Sequence, residues 1–366
     1  MIDDICITAV GMATSVGLNA DESCASIRAG INRFNQPDDY FFPEPDIFGD
    51  IEPVQCAPLS IIDIMEIEGS ERWKALAMLA LLDLFQSNRI EKKHFSKTGL
   101  LLAMPSLLRD DVDETDIYDF LPELHSEMDL PDFAIERTYP IGNSGGYMAI
   151  KEGMSLLQKN RNIDMCIIGG VDCLIDFYAL KWLDANRRLK SDRNRDGFIP
   201  GEAACFFIME TMESAKRKNS KILALVERVE NAWEENGIFA DKPNNADGLT
   251  NAISKTVKKN KVHIEWVVCD LNGESFRAKE WGIAFARLGS VFRSLSHIHH
   301  PADCIGDVGA ASGPVNFALA AKAFERGYAP SDRVLLWGSS DAGERSAAVL
   351  KRHNNKTESL KQCQQQ

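Results

Sequence analysis

The segment from Arg193 to Glu210, RNRDGFIPGEAACFFIME, constrains the fold more than any other part of the chain. Its second part, Ala204 to Met209, is an unbroken apolar run of strand length, which is typical of a strand covered on both faces. The preceding Arg195-Asp196-Gly197 has the composition of a turn, in which Gly197 can adopt a positive φ at no steric cost. The segment therefore predicts a tight turn followed by a fully buried strand.

Apolar runs of strand length alternate with segments of helical periodicity along the chain, which predicts a layered α/β protein. The predicted strands are 5–10, 99–104, 165–171, 222–229, 264–271 and 333–337. The predicted helices are 19–30, 72–86, 148–159, 247–259, 277–292 and 318–325. The same strand–helix–strand order recurs in both parts of the chain, so the sequence predicts two similar halves.

The expected division places one half in residues 1–215 and the other in residues 216–353. The first half carries two cap insertions, at about residues 31–68 and 105–135, which are acidic in composition. The final residues, 354–366, are polar and end in a glutamine-rich run, which predicts a disordered tail.

Composition excludes several classes of function. The net charge of −13 argues against nucleic-acid binding, which needs a basic face. The sequence contains no apolar run long enough for a membrane span and begins without the basic region of a signal peptide, so we expect a cytoplasmic protein. Nine cysteines occur without a C-x-x-C pair, which favours reduced thiols over a metal site, and no cofactor is expected. His297-Ile298-His299-His300 is interpreted as a surface loop rather than as a zinc site.

Several landmarks occur in the order found in β-ketoacyl synthases, the condensing enzymes of the thiolase-like superfamily. They are Ile7 to Gly17, a first helix that ends near Ala29-Gly30, Gly169-Gly170-Val171-Asp172, Arg195 to Glu202, and Gly309 to Gly313. The chain resembles this family over most of its length. The resemblance implies a five-layer αβαβα fold of two similar halves, and a homodimer that covers the edge of the sheet.

The family's chemistry depends on a cysteine nucleophile and two histidines. In this chain the resemblance places Asn143 at the position of the cysteine and Asp270 at that of the first histidine. The second histidine falls at Gly306 or, with a one-residue gap, at Asp307. Since an amide cannot form a thioester, we expect no condensing activity.

The resemblance also indicates positions for substrate binding. The phenylalanine of the family's Arg-Asp-Gly-Phe segment lies near the acyl pocket and corresponds to Phe198. The family's glycine-rich C-terminal loop corresponds to Ser340-Asp341-Ala342-Gly343. Candidate substrate-binding residues are therefore Phe198, Gly306, Ser340 and Asp341.

Three interpretations of the replaced site remain open. The favoured one is a subunit that has lost condensation and binds an acyl chain, acyl-CoA, an acyl carrier protein or another protein partner. The second is new acid–base chemistry, in which Asp270, Asp307 and Asp341 converge and mutual repulsion raises one pKa. The third is a serine acyl hydrolase or acyltransferase, because residues 142–146 fit G-x-S-x-G and Ser144 has Asp270 or Asp307 as possible partners. In the hydrolase version one of His297, His299 or His300 completes the triad.

Two basic runs accompany these candidates. Arg187-Arg188-Leu189-Lys190 extends to Arg195, and a second run extends from Lys216 to Lys221. They are interpreted as solvated faces, with a patch for an acidic partner such as a carrier protein as the alternative.

Overall fold

A computed structural model describes residues 4–36, 54–61, 67–88, 92–160, 162–192, 194–257, 263–292 and 294–353. The strands within them are β1 (Ile5–Thr14), β2 (Thr98–Ala103), β3 (Ile135–Tyr139), β4 (Met165–Cys173), β5 (Glu202–Thr211), β6 (Ala224–Trp233), β7 (Trp266–Cys269), β8 (His297–His299), β9 (Arg333–Ser339) and β10 (Glu344–Lys351). They hydrogen-bond in the continuous order β3-β2-β4-β5-β1-β6-β10-β9-β7-β8.

The strand order repeats. In the first half β3, β2 and β4 are parallel, whereas β4, β5 and β1 are antiparallel. In the second half β8, β7 and β9 are parallel, whereas β9, β10 and β6 are antiparallel. The halves join where Ile5–Ile7 of β1 pair with Ala224–Val226 of β6. This repeat confirms the prediction of two similar halves.

Helices cover and separate the two half-sheets. They are α1 (Ala20–Arg28), α2 (Gly69–Asn88), α3 (Glu114–Met128), α4 (Gly145–Lys159), α5 (Phe177–Ala185), α6 (Met212–Lys218), α7 (Asp247–Val257), α8 (Ser275–Arg287), α9 (Ala302–Ile305) and α10 (Ser312–Arg326). Side chains of α4 and α10 share one core with strands of both halves. Helices α2 and α3 pack on the outer face of the first half, and α7 and α8 on that of the second. The expected five-layer αβαβα arrangement is confirmed.

Helices α4 and α10 approach each other closely near their N-termini. A Cβ atom added to Gly146 would lie 2.4 Å from Cδ of Pro314. One turn further on, the rings of Tyr147 and Phe317 meet edge to face with their centroids 5.5 Å apart. Because each helix start follows a short 3₁₀ turn, Gly142–Ser144 or Gly309–Ala311, this contact brings the two turns together at the centre of the molecule.

The opening segment forms the predicted strand, with a different role for its glycine. Strand β5 lies between β4 and β1, and Phe206 and Phe207 are fully buried. Gly197 does not have a positive φ. A Cβ atom there would lie 2.4 Å from the carbonyl carbon and oxygen of Leu189, so the position requires glycine for space rather than for its backbone angles.

Three expectations need further comment. The insertion at 105–135 contains α3, whose residues Ile117, Phe120 and Leu124 are part of the hydrophobic core. Residues 297–299 form the edge strand β8, so the predicted surface loop was wrong at these positions. Most of the 31–68 insertion and the whole 354–366 tail lie outside the described residues. Within the described chain, helices with the length and apolarity needed to cross a membrane are absent.

Candidate functional site

The candidate site lies at the N-terminal ends of the two central helices. Asn143 belongs to the 3₁₀ turn before α4, and Asp307 lies just before the corresponding turn that leads into α10. The Asn143 side-chain amide is 3.4 Å from Oδ1 of Asp307 and 3.4 Å from Oγ of Ser312. Both residues are buried. The fold therefore brings together two of the residues that the sequence analysis selected.

Asp270 follows strand β7 and belongs to the same cluster. Its Oδ2 atom accepts hydrogen bonds from the Ser339 backbone N–H at 2.8 Å and from Nη1 of Arg277 at 3.0 Å. The buried Oδ1 atom has no hydrogen-bond partner among the described residues. Burial raises the pKa of Asp270 to about 6. The positive charge of Arg277 lowers this pKa, and the negative charge of Asp307 raises it.

Asp307, rather than Gly306, supplies a functional group at this point. Its Oδ2 atom accepts from the Asn272 side chain at 2.7 Å and its Oδ1 atom from the Gly309 backbone N–H at 2.9 Å. Gly306 has a φ of 70°, and a Cβ atom there would lie 2.7 Å from the carbonyl oxygen of Ile199. Position 306 is thus restricted to glycine by the backbone, whereas position 307 directs a carboxylate into the cluster.

Asp341 also lies in this cluster, but two arginines neutralise it. Its Oδ2 atom is 2.6 Å from Nη1 of Arg188, and its Oδ1 atom is 3.3 Å from Nη2 of Arg277. Burial opposes ionisation, yet the charges of Arg188 and Arg277 lower the pKa of Asp341 below its ordinary value. The expected convergence of Asp270, Asp307 and Asp341 is present, but Asp270 and Asp341 pair with arginines. Asp307 instead accepts from the side-chain amides of Asn143 and Asn272.

Sequence reasoning missed the arginines. Arg188 belongs to a run expected to be a solvated face, but it is 5% exposed and pairs through Nε and Nη2 with both oxygens of Glu274. Its guanidinium also lies 5.1 Å from the ring centroid of Phe198. The preceding residue, Arg187, is exposed. A basic run gives no sign of which member turns inward, so only the tertiary structure identifies Arg188 as part of the site.

A second buried ion pair borders the site at the end of β4. Oδ1 of Asp172 is 2.6 Å from Nη1 of Arg109, and Oδ2 accepts from the Ala310 backbone N–H at 2.9 Å. Burial raises the pKa of Asp172 to about 6. Asp172 is the last residue of the Gly-Gly-Val-Asp landmark, so this landmark connects the first half to the start of α10 in the second.

Little free space remains among these groups. The cavity beside Asn143, which Phe198, Arg188 and Asp307 also line, has a volume of about 20 Å³. A neighbouring cavity, bounded by Asp270, Asp307 and Ser312, has about 10 Å³. Each has room for about one water molecule. Phe198 and Asp341 therefore lie beside Asn143 as expected, but the described side chains leave no chamber for an acyl chain.

Ser144 has a different environment. It is fully buried, and its hydroxyl lies 3.1 Å from the carbonyl oxygen of Gly338 and 3.0 Å from that of Glu344. Its backbone N–H donates to Oγ of Ser340 at 2.9 Å. Ser144 lines neither of the two small cavities, and no histidine lines them either. Both serines thus connect the start of α4 to strands β9 and β10.

The described residues contain no candidate metal-binding site. Among them, His, Cys, Asp and Glu side chains form no group of three or more that could hold an ion. The eight cysteines there are all buried. Cys269 is fully buried in the core of the second half.

Comparisons with known proteins identify the fold. The ketoacyl synthase alpha subunit of the tetracenomycin polyketide synthase of Streptomyces glaucescens is 26% identical over 252 aligned positions, which cover 58% of this chain and 58% of that protein. The alignment thus spans less than two thirds of the relative's length. No protein-family model matches the sequence.

Solved structures align over nearly the whole chain. A type II polyketide ketosynthase, in complex with its acyl-carrier protein and bound to the hexaketide, has a TM-score of 0.77 at 14% identity and covers 97% of this chain and 100% of its own. The ishigamide ketosynthase/chain length factor has a TM-score of 0.76 at 15% identity, with the same coverage. A ketosynthase of the Bacillus subtilis bacillaene synthase has a TM-score of 0.75 at 14% identity and covers 96% of this chain and 72% of its own. The chain therefore has the fold of thiolase-like ketosynthases, as the resemblance predicts.

Proposed function

We propose that this ketosynthase-like chain is a non-condensing subunit that binds a protein partner, with an acyl carrier protein as the first candidate. The observation that carries the proposal is Asn143 at the start of α4, the position that the family resemblance assigns to the nucleophile. An amide forms no thioester, and this one is directed toward Asp307 and Ser312. The chain therefore retains the scaffold of a condensing enzyme without its covalent step.

The ion-pair network supports the loss of condensation. Arg188, Arg277 and Asp341 line the same cavity as Asn143 and Phe198, which at about 20 Å³ is too small for an acyl chain. Their charges are paired and buried, so the network is costly to open for an apolar chain. A function in which the ion-pair network beside Asn143 stays intact therefore fits the structure better than one in which an acyl chain binds there.

Two observations support a carrier-protein partner. The ketosynthase that aligns best among those described above is itself in complex with an acyl-carrier protein. In this chain Arg187, Lys190 and Arg195 are exposed on the loop that also carries the buried Arg188, beside the candidate site. Three cations at this position suit an acidic surface.

We further propose that the chain forms a homodimer through the edge of its first half-sheet. Strand β3 is the terminal strand of the sheet and pairs with β2 on one side only. An unpaired strand edge is open to pairing with a second chain. Light scattering of the purified protein should give the mass of two chains, and a monomer at micromolar concentration would refute this part of the proposal.

The central test combines covalent labelling with partner binding. Intact-mass spectrometry after incubation with acyl-CoA or an acylated carrier protein should show no adduct. Binding of the unacylated carrier protein from the same cells should be weakened at least about tenfold by Arg187→Glu with Lys190→Glu, whereas Lys255→Glu on α7 should leave it unchanged. A thioester or ester adduct would refute the non-condensing assignment, and unaltered affinity in the double variant would refute the docking site.

A further inference from the structure

A large cavity of the described chain has no part in the site above. It lies between strands β7 and β8 and helices α1 and α10, and has a volume of about 580 Å³. Cavities of about 300–1,000 Å³ are the usual size for small-molecule sites. A wall that includes Pro301 separates it from the small cavity beside Asp270. None of Arg187, Lys190 and Arg195 lines it, so it is independent of the proposed carrier-protein surface.

The floor of this cavity is apolar. Trp266, Val268, Leu319 and Ala323 line it, and each is at most 9% exposed. Trp266 also contacts Phe324 edge to face, with centroids 5.7 Å apart, so the indole is held in place. Transfer of an apolar ligand from water to this surface is favourable by about 25 cal/mol per Å².

The rim carries a cation without a carboxylate partner. Arg28, at the end of α1, is exposed, and its guanidinium lies 4.1 Å from the ring centroid of Tyr328. Arg28 forms no ion pair with the described residues, whereas the one carboxylate of the lining, Asp303, is 2.8 Å from Nδ1 of His300. The ring of Tyr328 holds the guanidinium against the rim, where its N–H groups can meet a ligand.

The opposite wall supplies a hydrogen-bond donor. Nδ1 of His299 accepts from the Trp266 indole N–H at 3.3 Å. Burial and the adjacent His297 and His300 lower the pKa of His299, so the neutral ring carries its proton on Nε2. The cavity thus combines an apolar floor, a free guanidinium and an imidazole N–H.

We propose that this cavity binds a small amphipathic anion. The apolar part of the ligand packs on Trp266, Leu319 and Ala323, and a carboxylate or similar oxyanion pairs with Arg28. A cationic ligand would meet Arg28 unfavourably, and a fully apolar one would leave the guanidinium and the His299 N–H unused. The apolar part of the ligand is either an acyl chain or an aromatic ring system, and competition with one carboxylate of each kind distinguishes the two.

The test uses a matched pair of probes on the full-length protein. 1-Anilinonaphthalene-8-sulfonate carries a negative charge, and N-phenyl-1-naphthylamine has the same rings without it. The increase in probe fluorescence on binding reports occupancy, and Trp266→Phe should reduce the energy transfer from the protein to the probe. Arg28→Gln should weaken the sulfonate probe about two- to fivefold and leave the neutral probe unchanged. Arg217→Gln, an exposed arginine on α6, is the control and should change neither.

Two variants that place a larger side chain in the cavity provide a test that does not depend on Arg28→Gln. Ala323→Phe and Ile27→Phe should each abolish binding of both probes while the circular dichroism spectrum is retained. Displacement by decanoate would identify an acyl ligand, and displacement by 2-naphthoate an aromatic one. The proposal would be overturned if filling the cavity left probe binding intact, if Arg28→Gln weakened both probes equally, or if neither carboxylate competed.

Discussion

Arg188 and Glu274 form a two-point ion pair in the interior, with Nε to Oε1 and Nη2 to Oε2 distances of 2.8 Å each. Both side chains are 5% exposed, and Nη1 of the same arginine binds Asp341. One guanidinium therefore satisfies two carboxylates that follow different strands, β7 and β9. The site is held by this arrangement rather than by apolar packing.

Arg188→Met should destabilise the protein by about 3–5 kcal/mol, because it removes the nearer cation from two buried carboxylates and leaves both to Arg277. Urea unfolding measures the change. Arg187→Gln is the matched control, since Arg187 is exposed, and should lie within about 0.5 kcal/mol of the wild type. Replacing Arg188, Glu274 and Asp341 together by apolar residues of similar size should recover most of the loss. A loss below about 1 kcal/mol in Arg188→Met would contradict the ion-pair account.

Ser144 should act as a structural residue. Because its hydroxyl bonds the carbonyls of Gly338 and Glu344, Ser144→Ala should cost about 1–3 kcal/mol of unfolding free energy. A fluorophosphonate probe should label neither protein, as detected by intact-mass spectrometry. Probe labelling of the wild type that Ser144→Ala removes would restore the serine-nucleophile alternative.

Asp270 should contribute a pH dependence of defined sign. Its pKa in the folded state is about 6, above the value of about 3.9 in an unfolded chain, so the folded state binds more protons between these values. Stability from this residue is greatest below pH 4 and declines as the pH rises toward 6. Relative to Asp270→Asn, the wild type should therefore lose about 1–2 kcal/mol of unfolding free energy between pH 4.5 and pH 7. A difference that grew with pH would show that Arg277 outweighs desolvation.

The crossing of α4 and α10 should tolerate no added methyl group. Gly146→Ala places Cβ 2.4 Å from Cδ of Pro314 and should cost about 1–3 kcal/mol. Gly282 in α8 is the matched control, because a Cβ atom there meets nothing within 4 Å. Gly282→Ala should gain about 0.5–1 kcal/mol from helix propensity. Equal effects of the two substitutions in thermal unfolding would argue against a close helix contact.

Most of the fold could be predicted from the sequence, because long buried strands and amphipathic helices produce strong local patterns of apolar residues. The apolar runs in β1, β4 and β5 and the periodicity of α2 were sufficient to locate these elements. Strand β10, ERSAAVLK, was not predicted, since its charged ends and small residues resemble neither a clear alternation nor a continuous apolar run. Strand β8 is three residues long and exposed, so it exists only through pairing with β7.

The family resemblance predicted which residues form the candidate site, whereas only the structure shows which side chains surround them. Asn143, Asp270 and Asp307 do meet at one place, as their alignment with the family's triad predicts. The pairing of Asp270 with Arg277, and of Asp341 with Arg188, was not predictable, because these arginines come from α8 and from a loop distant in sequence. The division at residue 215 and the limits of the cap insertions stay predictions.

The carboxylate of Asp172 connects the halves more directly than the strands do. It binds Arg109 of the first half and the backbone N–H of Ala310 at the start of α10. The first half alone would keep only the arginine partner, and the second half alone would lose the acceptor of the Ala310 N–H. Although the chain has the repeated topology of a duplicated unit, it should therefore melt as one cooperative body, and a fragment of either half should fail to fold by itself.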